Sequence, residues 1–425
     1  MRIEQLYEVY RQSSGICTDT RKIQPNCLFV ALRGPNFNGN EYAQEALDKG
    51  AYKVILDDLR FHKNTGETIC HGDSLKLLQK LATYHRGQLG IPIISLTGSN
   101  GKTTTKELIH LVLAKKFNTQ ATQGNLNNHI GVPLTLLAMN EKTELGVVEM
   151  GANHQGEIAA LSEIALPDFG YITNFGKAHL EGFGGEEGVI KGKSELYRHL
   201  AARNKKVFVN GNDPKQLELT EGMDRFVFGP DDSDCPIQLL EHQHGLKIKY
   251  RQLLIQPHLT GVYNFHNIAA AIAMGHILGI EPEAIKEAIE TYMPDNNRSQ
   301  LTEIKGRKVF KDAYNANPSS MVVAIDNFVQ MTSTPRILIL GDMFELGEDA
   351  AKEHQEIANK AGSLRDTTVF LVGEHFDRVK AEEHMHQFST YSDLEEYLQN
   401  NELAPGPLMI KGSRGMALER VLELL

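Results

Sequence analysis

The sequence predicts an α/β protein of three domains: a small α/β unit over residues 1–88, a central phosphate-loop unit with a mostly parallel sheet over 89–296, and a Rossmann-like unit over 297–425. Three observations carry this reading. The chain has 425 residues of which 41% are hydrophobic, and at roughly 100–200 residues per domain that length provides two to four units. From Ile91 onward, apolar runs at 146–150, 170–173 and 206–209 alternate with amphipathic helical stretches, the pattern of parallel strands covered on both faces. Beyond the polar, Pro-containing stretch 293–300, read as a hinge, three more apolar runs at 336–341, 368–373 and 407–412 each end at Gly and are separated by helical stretches.

In the first unit, short apolar segments at 27–32 and 52–56 alternate with Gly- and Asn-rich turns such as 34–40. The central unit opens on Thr97-Gly98-Ser99-Asn100-Gly101-Lys102-Thr103-Thr104, between the apolar run 91–96 and a helix-periodic stretch. Strand, Gly-rich loop and helix in that order make a phosphate loop. Its glycines let backbone N–H groups face phosphate oxygens at a helix N-terminus, Lys102 brings a cation to the transferred phosphate, and the Thr103 hydroxyl suits magnesium. The broader phosphate-loop pattern has a Gly where this chain has Leu96, so only the compact form is present. ATP is the expected ligand, cradled by Gly98 to Thr104. In the third unit no GxGxxG follows a strand, so a dinucleotide cofactor is not expected.

A formal net charge of −10 argues against a surface that tracks nucleic-acid phosphates. The four cysteines, at 17, 27, 70 and 235, fall in no CxxC spacing and read as reduced thiols. The N-terminus lacks an apolar signal core, and no apolar stretch is long enough to span a bilayer. The expectation is a cytoplasmic monomer without membrane insertion.

Glu149 stands at the carboxyl end of an apolar run, where a carboxylate beside a triphosphate is the expected magnesium partner. His179 lies in the polar loop after 170–173, and the residues alone leave metal or phosphate contact level with simple exposure. Lys193 sits in a helical run, where lysines are ordinarily solvated. Asp312, Tyr314, Asn315 and Asn317 crowd a turn before Pro318 and a helix start, which a structural turn explains as readily as a site. The strings His242-Gln243-His244 and His384-Met385-His386 lack a third ligand at metal spacing and are expected at the surface, with no zinc.

Taken together, these strings make the chain resemble the Mur ligases over nearly its whole length. They are 97–104, Asn127-Asn128-His129-Ile130-Gly131-Val132-Pro133, Glu149-Met150-Gly151-Ala152-Asn153-His154, Ile172-Thr173-Asn174 with Ala178-His179-Leu180, Lys193-Ser194-Glu195-Leu196-Tyr197, 312–318, Gly341-Asp342-Met343-Phe344-Glu345-Leu346-Gly347 and Lys411-Gly412-Ser413-Arg414. The phosphate-loop, His179 and Lys193 strings are similar to folylpolyglutamate synthases as well. The strings at 149–154 and 314–318 resemble the Mur ligases that use D-alanyl-D-alanine.

The resemblance implies an ATP-dependent ligase that joins D-alanyl-D-alanine to UDP-N-acetylmuramoyl-tripeptide through an acyl phosphate, a step of peptidoglycan precursor synthesis. The alternative on the same scaffold is an amide ligase with another amine acceptor. Two magnesium ions are implied, held by Thr103, Glu149, His179 and a carbamylated Lys193, with Lys102, His179 and Lys193 as the catalytic set. The resemblance also matches Asn267 to an adenine contact, Asp312 to an acid that meets the nucleotide, and Arg298 to a phosphate contact. It implies substrate binding by Asp19, Thr20, Arg21 and Asn38 on the UDP side, and by Asn128, Tyr314, Asn315, Asn317, Lys411 and Arg414. Two positions depart from the family pattern: Tyr263 stands where a His is usual, and Asn297 where a Gly is usual.

Overall fold

The computed structural model describes residues 1–243, 245–294 and 300–424. Residues 295–299, with Arg298 and most of the expected hinge, lie outside the described residues, as does His244.

The N-terminal sheet runs Ile16–Cys17, Leu28–Val30, Lys53–Leu56, Thr68–Cys70 in that order, all parallel. Alternate residues feed two cores: Leu28, Val30 and Ile55 face one, and Phe29, Val54 and Leu56 face the other. Asp73 caps the following helix, Ser74–Leu89, by accepting from Lys76 N, and Gly90 ends it in the left-handed region at φ 63°. That helix splints the first unit to the second. Arg86 pairs with Asp168 at 2.6 Å, and His85 Nε2 lies 3.0 Å from the Met139 carbonyl.

The central sheet has nine strands in the order Leu253–Ile255, Lys247–Tyr250, Cys235–Glu241, Arg225–Gly229, Lys206–Asn210, Phe169–Ile172, Ile93–Thr97, Leu145–Glu149, Thr119–Ala121. Only the pairings that involve Lys247–Tyr250 are antiparallel. Ile93–Thr97 and Leu145–Glu149 are buried at every position, as continuous apolar strands under helices on both faces require. Register places Ile172 beside Thr97 and Leu96 beside Glu149, so three neighbouring strands end together. Loops carrying the phosphate string, Glu149 and His179 therefore leave one edge, where ligands of open α/β sheets gather.

The third sheet runs Gln300–Ile304, Arg307–Lys311, Leu408–Lys411, Arg336–Gly341, Thr367–Val372, Met385–Phe388, with only the first pair antiparallel. Its first hairpin and last strand were not visible as apolar runs. Gln300–Ile304 and Met385–Phe388 are the polar edges of the sheet, while Arg307–Lys311 is paired on both sides and buries only Val309 and Phe310 among charged residues. The hairpin turns at Lys305 and Gly306, φ 48° and 79°, a pair of left-handed residues that suits a two-residue turn. The 384–386 string corrects the surface expectation in part. Met385 is buried and the His386 ring stacks on Phe370 at 5.1 Å, while His384 is exposed.

The cysteines are free, and all but Cys70 are buried. Among the described residues no helix is long and apolar enough to cross a membrane.

Candidate active site

The strand Ile93–Thr97 passes through the loop into the helix Lys102–Leu113, with Gly98 at φ 143° and Gly101 at φ 78°, conformations that L side chains rarely adopt. Space forbids a side chain there too. A Cβ on Gly98 would collide with Thr173 Oγ1, and one on Gly101 would come within 2.6 Å of Asn267 Oδ1. Asn174 fastens the loop, its carbonyl accepting from Ser99 N at 3.1 Å and its Oδ1 from Asn100 N at 3.2 Å. Lys102 Nζ donates back to the carbonyls of Gly98 (2.7 Å) and Ser99 (3.1 Å), which holds the cation over the loop.

Glu149 is 1% exposed and well connected on one oxygen only. Its Oε1 accepts from Thr103 Oγ1 at 3.3 Å and from Asn127 Nδ2 at 2.8 Å. Its Oε2 is buried with no hydrogen-bond partner, and Lys106 Nζ stands 3.9 Å away. A buried carboxylate oxygen without a donor is costly unless something else completes it. Hard oxygen donors from Thr103 and Glu149 beside a phosphate loop fit magnesium, which takes few protein ligands and fills the rest with phosphate and water. Among the described residues no group of three or more His, Cys, Asp or Glu could hold a metal by itself. Lys106, Asn127 and Thr122, whose Oγ1 accepts from Glu149 N at 3.0 Å, were missed by sequence reasoning. Only a fold brings them to Glu149.

Lys193 overturns the expectation of a solvated lysine. It ends the helix Glu186–Lys193 at 1% exposure, its Nζ donating to the Ala152 carbonyl at 3.1 Å and lying 4.8 Å from the centre of the Phe183 ring. Burial first, and the cation of Lys102 second, push its amine well below the ordinary lysine value of 10.5. A neutral amine is the form that carbamylation requires.

His179 has φ 53° and precedes the short helix Leu180–Phe183. Its Nδ1 lies 2.5 Å from Glu345 Oε2 of the third domain, and the imidazole holds the Glu345 carboxyl below the usual range. More bonds cross the same boundary. Asn317 and Asn100 exchange amide hydrogen bonds, Lys177 N donates to Ser319 Oγ at 2.8 Å, and Lys177 Nζ meets Glu353 at 2.7 Å. Asn317 caps the helix Pro318–Met331.

A cavity of about 1150 Å³ lies between the two domains. Lining it are Ser99, Asn100, Gly101, Lys102, Thr103, Thr104, Asn128, Glu149, His179 and Asn267 of the central domain, with Asp312, Tyr314, Asn315, Asn317 and Lys411 of the third. Lys411, 1% exposed, donates to Asp312 Oδ2 at 2.6 Å and to the Asn315 carbonyl at 3.1 Å, so its charge steadies the turn. Asn267 is braced within the fold, accepting from Thr105 Oγ1 at 3.0 Å and donating to Asn264 Oδ1 at 2.9 Å.

Not every expected residue reaches the cavity wall. Gly98 packs behind the loop, Lys193 lies one layer deeper beneath Ala152, and Arg414 stacks its guanidinium 5.0 Å from the centre of the Tyr314 ring. Asp19, Thr20, Arg21 and Asn38 are on the N-terminal domain away from it. Asp19 caps a short 3-10 turn and pairs with Arg21 at 2.8 Å, and Asn38 Oδ1 accepts from Asn40 N at 3.2 Å.

A phosphate loop facing a second α/β domain across a cavity with a half-satisfied carboxylate defines a nucleotide-dependent ligase scaffold. Residues 96–275 match the Mur ligase middle domain, and residues 297–412 match the Mur ligase glutamate ligase domain. The chain belongs to the Mur ligase family. It is 33% identical to the UDP-N-acetylmuramoyl-tripeptide–D-alanyl-D-alanine ligase of Bacillus subtilis over 96% of this chain and 92% of the relative. Among solved structures, MurF from Acinetobacter baumannii is similar with a TM-score of 0.86 at 28% identity, covering 99% of this chain and 97% of that one. The MurF ligase of Thermotoga maritima, solved with ADP, gives 0.85 at 26% identity, covering 98% and 97%.

Proposed function

We propose that this chain is an ATP-dependent amide ligase that joins UDP-N-acetylmuramoyl-tripeptide to D-alanyl-D-alanine, acting as a cytoplasmic monomer with modules at 1–88, 89–296 and 297–425. One observation carries the reading: a single cavity joins the phosphate loop and Glu149 to Asp312, Asn315 and Lys411 of the other domain. The named activities of the similar proteins supply the substrates.

In the first step an oxygen of the tripeptide's terminal carboxylate attacks the γ-phosphorus, the bond to ADP breaks, and an acyl phosphate forms. The dipeptide amine then attacks the acyl carbon, the C–O bond to phosphate breaks, and the amide forms as the amine gives up a proton. Side chains do little covalent work here, and rate comes from positioning and charge. Ser99 to Thr104 hold the phosphates, and Lys102 stabilises charge on the one transferred. Thr103 and Glu149 would hold one magnesium, and His179 with a carbamylated Lys193 a second. Magnesium supplies charge neutralisation on the phosphate oxygens. Asn267 and Arg298 attend the nucleotide, and Asp19, Thr20, Arg21 and Asn38 the uridine diphosphate end. Asn128, Tyr314, Asn315, Asn317, Lys411 and Arg414 position the peptide substrates.

ADP release by purified protein, given ATP, magnesium and the UDP-linked tripeptide, tests the reading. D-alanyl-D-alanine should drive turnover, with meso-diaminopimelate and glutamate inert. Turnover with glutamate instead would move the chain to another ligase activity, and no release with any amine would leave a nucleotide-gated binding protein.

A further inference from the structure

The loop Gly341-Asp342-Met343-Phe344-Glu345-Leu346-Gly347 leaves the strand Arg336–Gly341 and reaches the central domain. Its root is fixed. Asp342, 3% exposed, accepts from His375 N and Phe376 N, both at 2.9 Å. Met343 N donates to His354 Nε2 at 2.9 Å, and Phe344 N to Ser413 Oγ at 2.9 Å. From this base Glu345 projects at φ 61°, its carboxylate on His179 Nδ1 and its carbonyl accepting from Glu181 N at 3.2 Å. His179 is also left-handed, at φ 53°. Two non-glycine residues held in that region and facing one another across a domain boundary mark a contact that its surroundings over-determine.

The carboxylate on Nδ1 fixes the ring plane and leaves Nε2 as the nitrogen open to a further ligand, on a residue that lines the cavity. We infer that Glu345 is a positioning residue: carried by the third domain, it presents His179 Nε2 to the cation bound with the nucleotide, so that seating of the third domain completes the site. The inference rests on the proposed role of His179. It separates from domain docking in general, because Lys177–Glu353, Lys177–Ser319 and Asn100–Asn317 also hold the two domains together.

The test uses the full chain, with Mn²⁺ as the probe ion and a non-hydrolysable ATP analogue plus the UDP-linked tripeptide present, read by electron paramagnetic resonance. Glu345→Ala should weaken Mn²⁺ binding about tenfold and lower kcat by a similar factor with the KM for ATP unchanged, the scale of losing a partner that orients a ligand. Glu345→Gln, whose amide oxygen still accepts from Nδ1–H, should recover most of the binding. Glu353→Gln, which removes a different cross-domain carboxylate, should leave Mn²⁺ affinity unaltered. Unchanged affinity in Glu345→Ala, or an equal loss in Glu353→Gln, overturns the inference while leaving the ligase reading intact. Failure of the unmutated chain to bind Mn²⁺ with the analogue overturns both.

Discussion

Asn317 and Asn100 clasp one another across the cavity, Asn317 Nδ2 donating to Asn100 Oδ1 at 2.7 Å and Asn100 Nδ2 to Asn317 Oδ1 at 3.4 Å. Asn317 also caps the helix Pro318–Met331, its Oδ1 accepting from Ser320 N at 2.9 Å. One side chain thus ties the start of a third-domain helix to the phosphate loop.

The clasp and the cap can be separated. Aspartate caps helices about as well as asparagine but has no N–H for Asn100, so Asn317→Asp should keep stability within about 0.5 kcal/mol while lowering kcat/KM about tenfold. Asn317→Ala should lose the cap as well, at about 1 kcal/mol. Thermal melts beside steady-state kinetics decide it. Equal destabilisation by both variants would show that the cap is not what Asn317 supplies.

Glu149 makes a sharper prediction, because its Oε2 is buried without a donor. Glu149→Gln keeps the shape and removes the charge. The magnesium concentration for half-maximal rate should rise at least about tenfold, and kcat should fall by about a hundredfold. A magnesium titration of the variant that overlays the original would contradict the metal role.

Lys193 carries a pH signature. Its folded-state amine titrates well below 10.5, so between that depressed value and 10.5 the unfolded chain holds a proton that the folded chain does not. Burying this lysine therefore costs stability at pH 7, and the cost shrinks as pH rises toward 10.5. In bicarbonate-free buffer Lys193→Met should melt higher than the original chain at pH 7, with the gap narrowing by pH 10. A gap independent of pH would mean that the amine is charged in its pocket. The same variant should lose turnover, since methionine cannot be carbamylated.

The phosphate loop was legible because its chemistry is local: strand end, glycines and helix start are contiguous in sequence, and Glu149 could then be read from its place at the end of another apolar run. Lys193 was not, since its helix reads as solvated on charge alone. A signal was nonetheless present in Gly188 and Gly192, four residues apart, where added side chains would strike the Phe183 carbonyl and ring. Glycines at that spacing mark a helix face pressed against its neighbour, and Lys193 lies on the buried side with them. Lys106, Asn127 and Glu345 gave no such sign, because partners 22 to 166 residues away in sequence define their roles. The hairpin Gln300–Lys311 escaped notice because its edge strand Gln300–Ile304 is polar and its inner strand Arg307–Lys311 holds only two buried apolar residues, Val309 and Phe310, among charged ones.

Phosphorylation of the substrate carboxylate in this cleft is the step on which every other role depends. Tripeptide substrate labelled with ¹⁸O in its terminal carboxylate, turned over with ATP and D-alanyl-D-alanine, reports this directly in the mass of the released phosphate. One carboxylate oxygen should appear in each phosphate. Unlabelled phosphate, with amide product formed at the normal rate, would contradict the acyl phosphate and with it the mechanism proposed for this site.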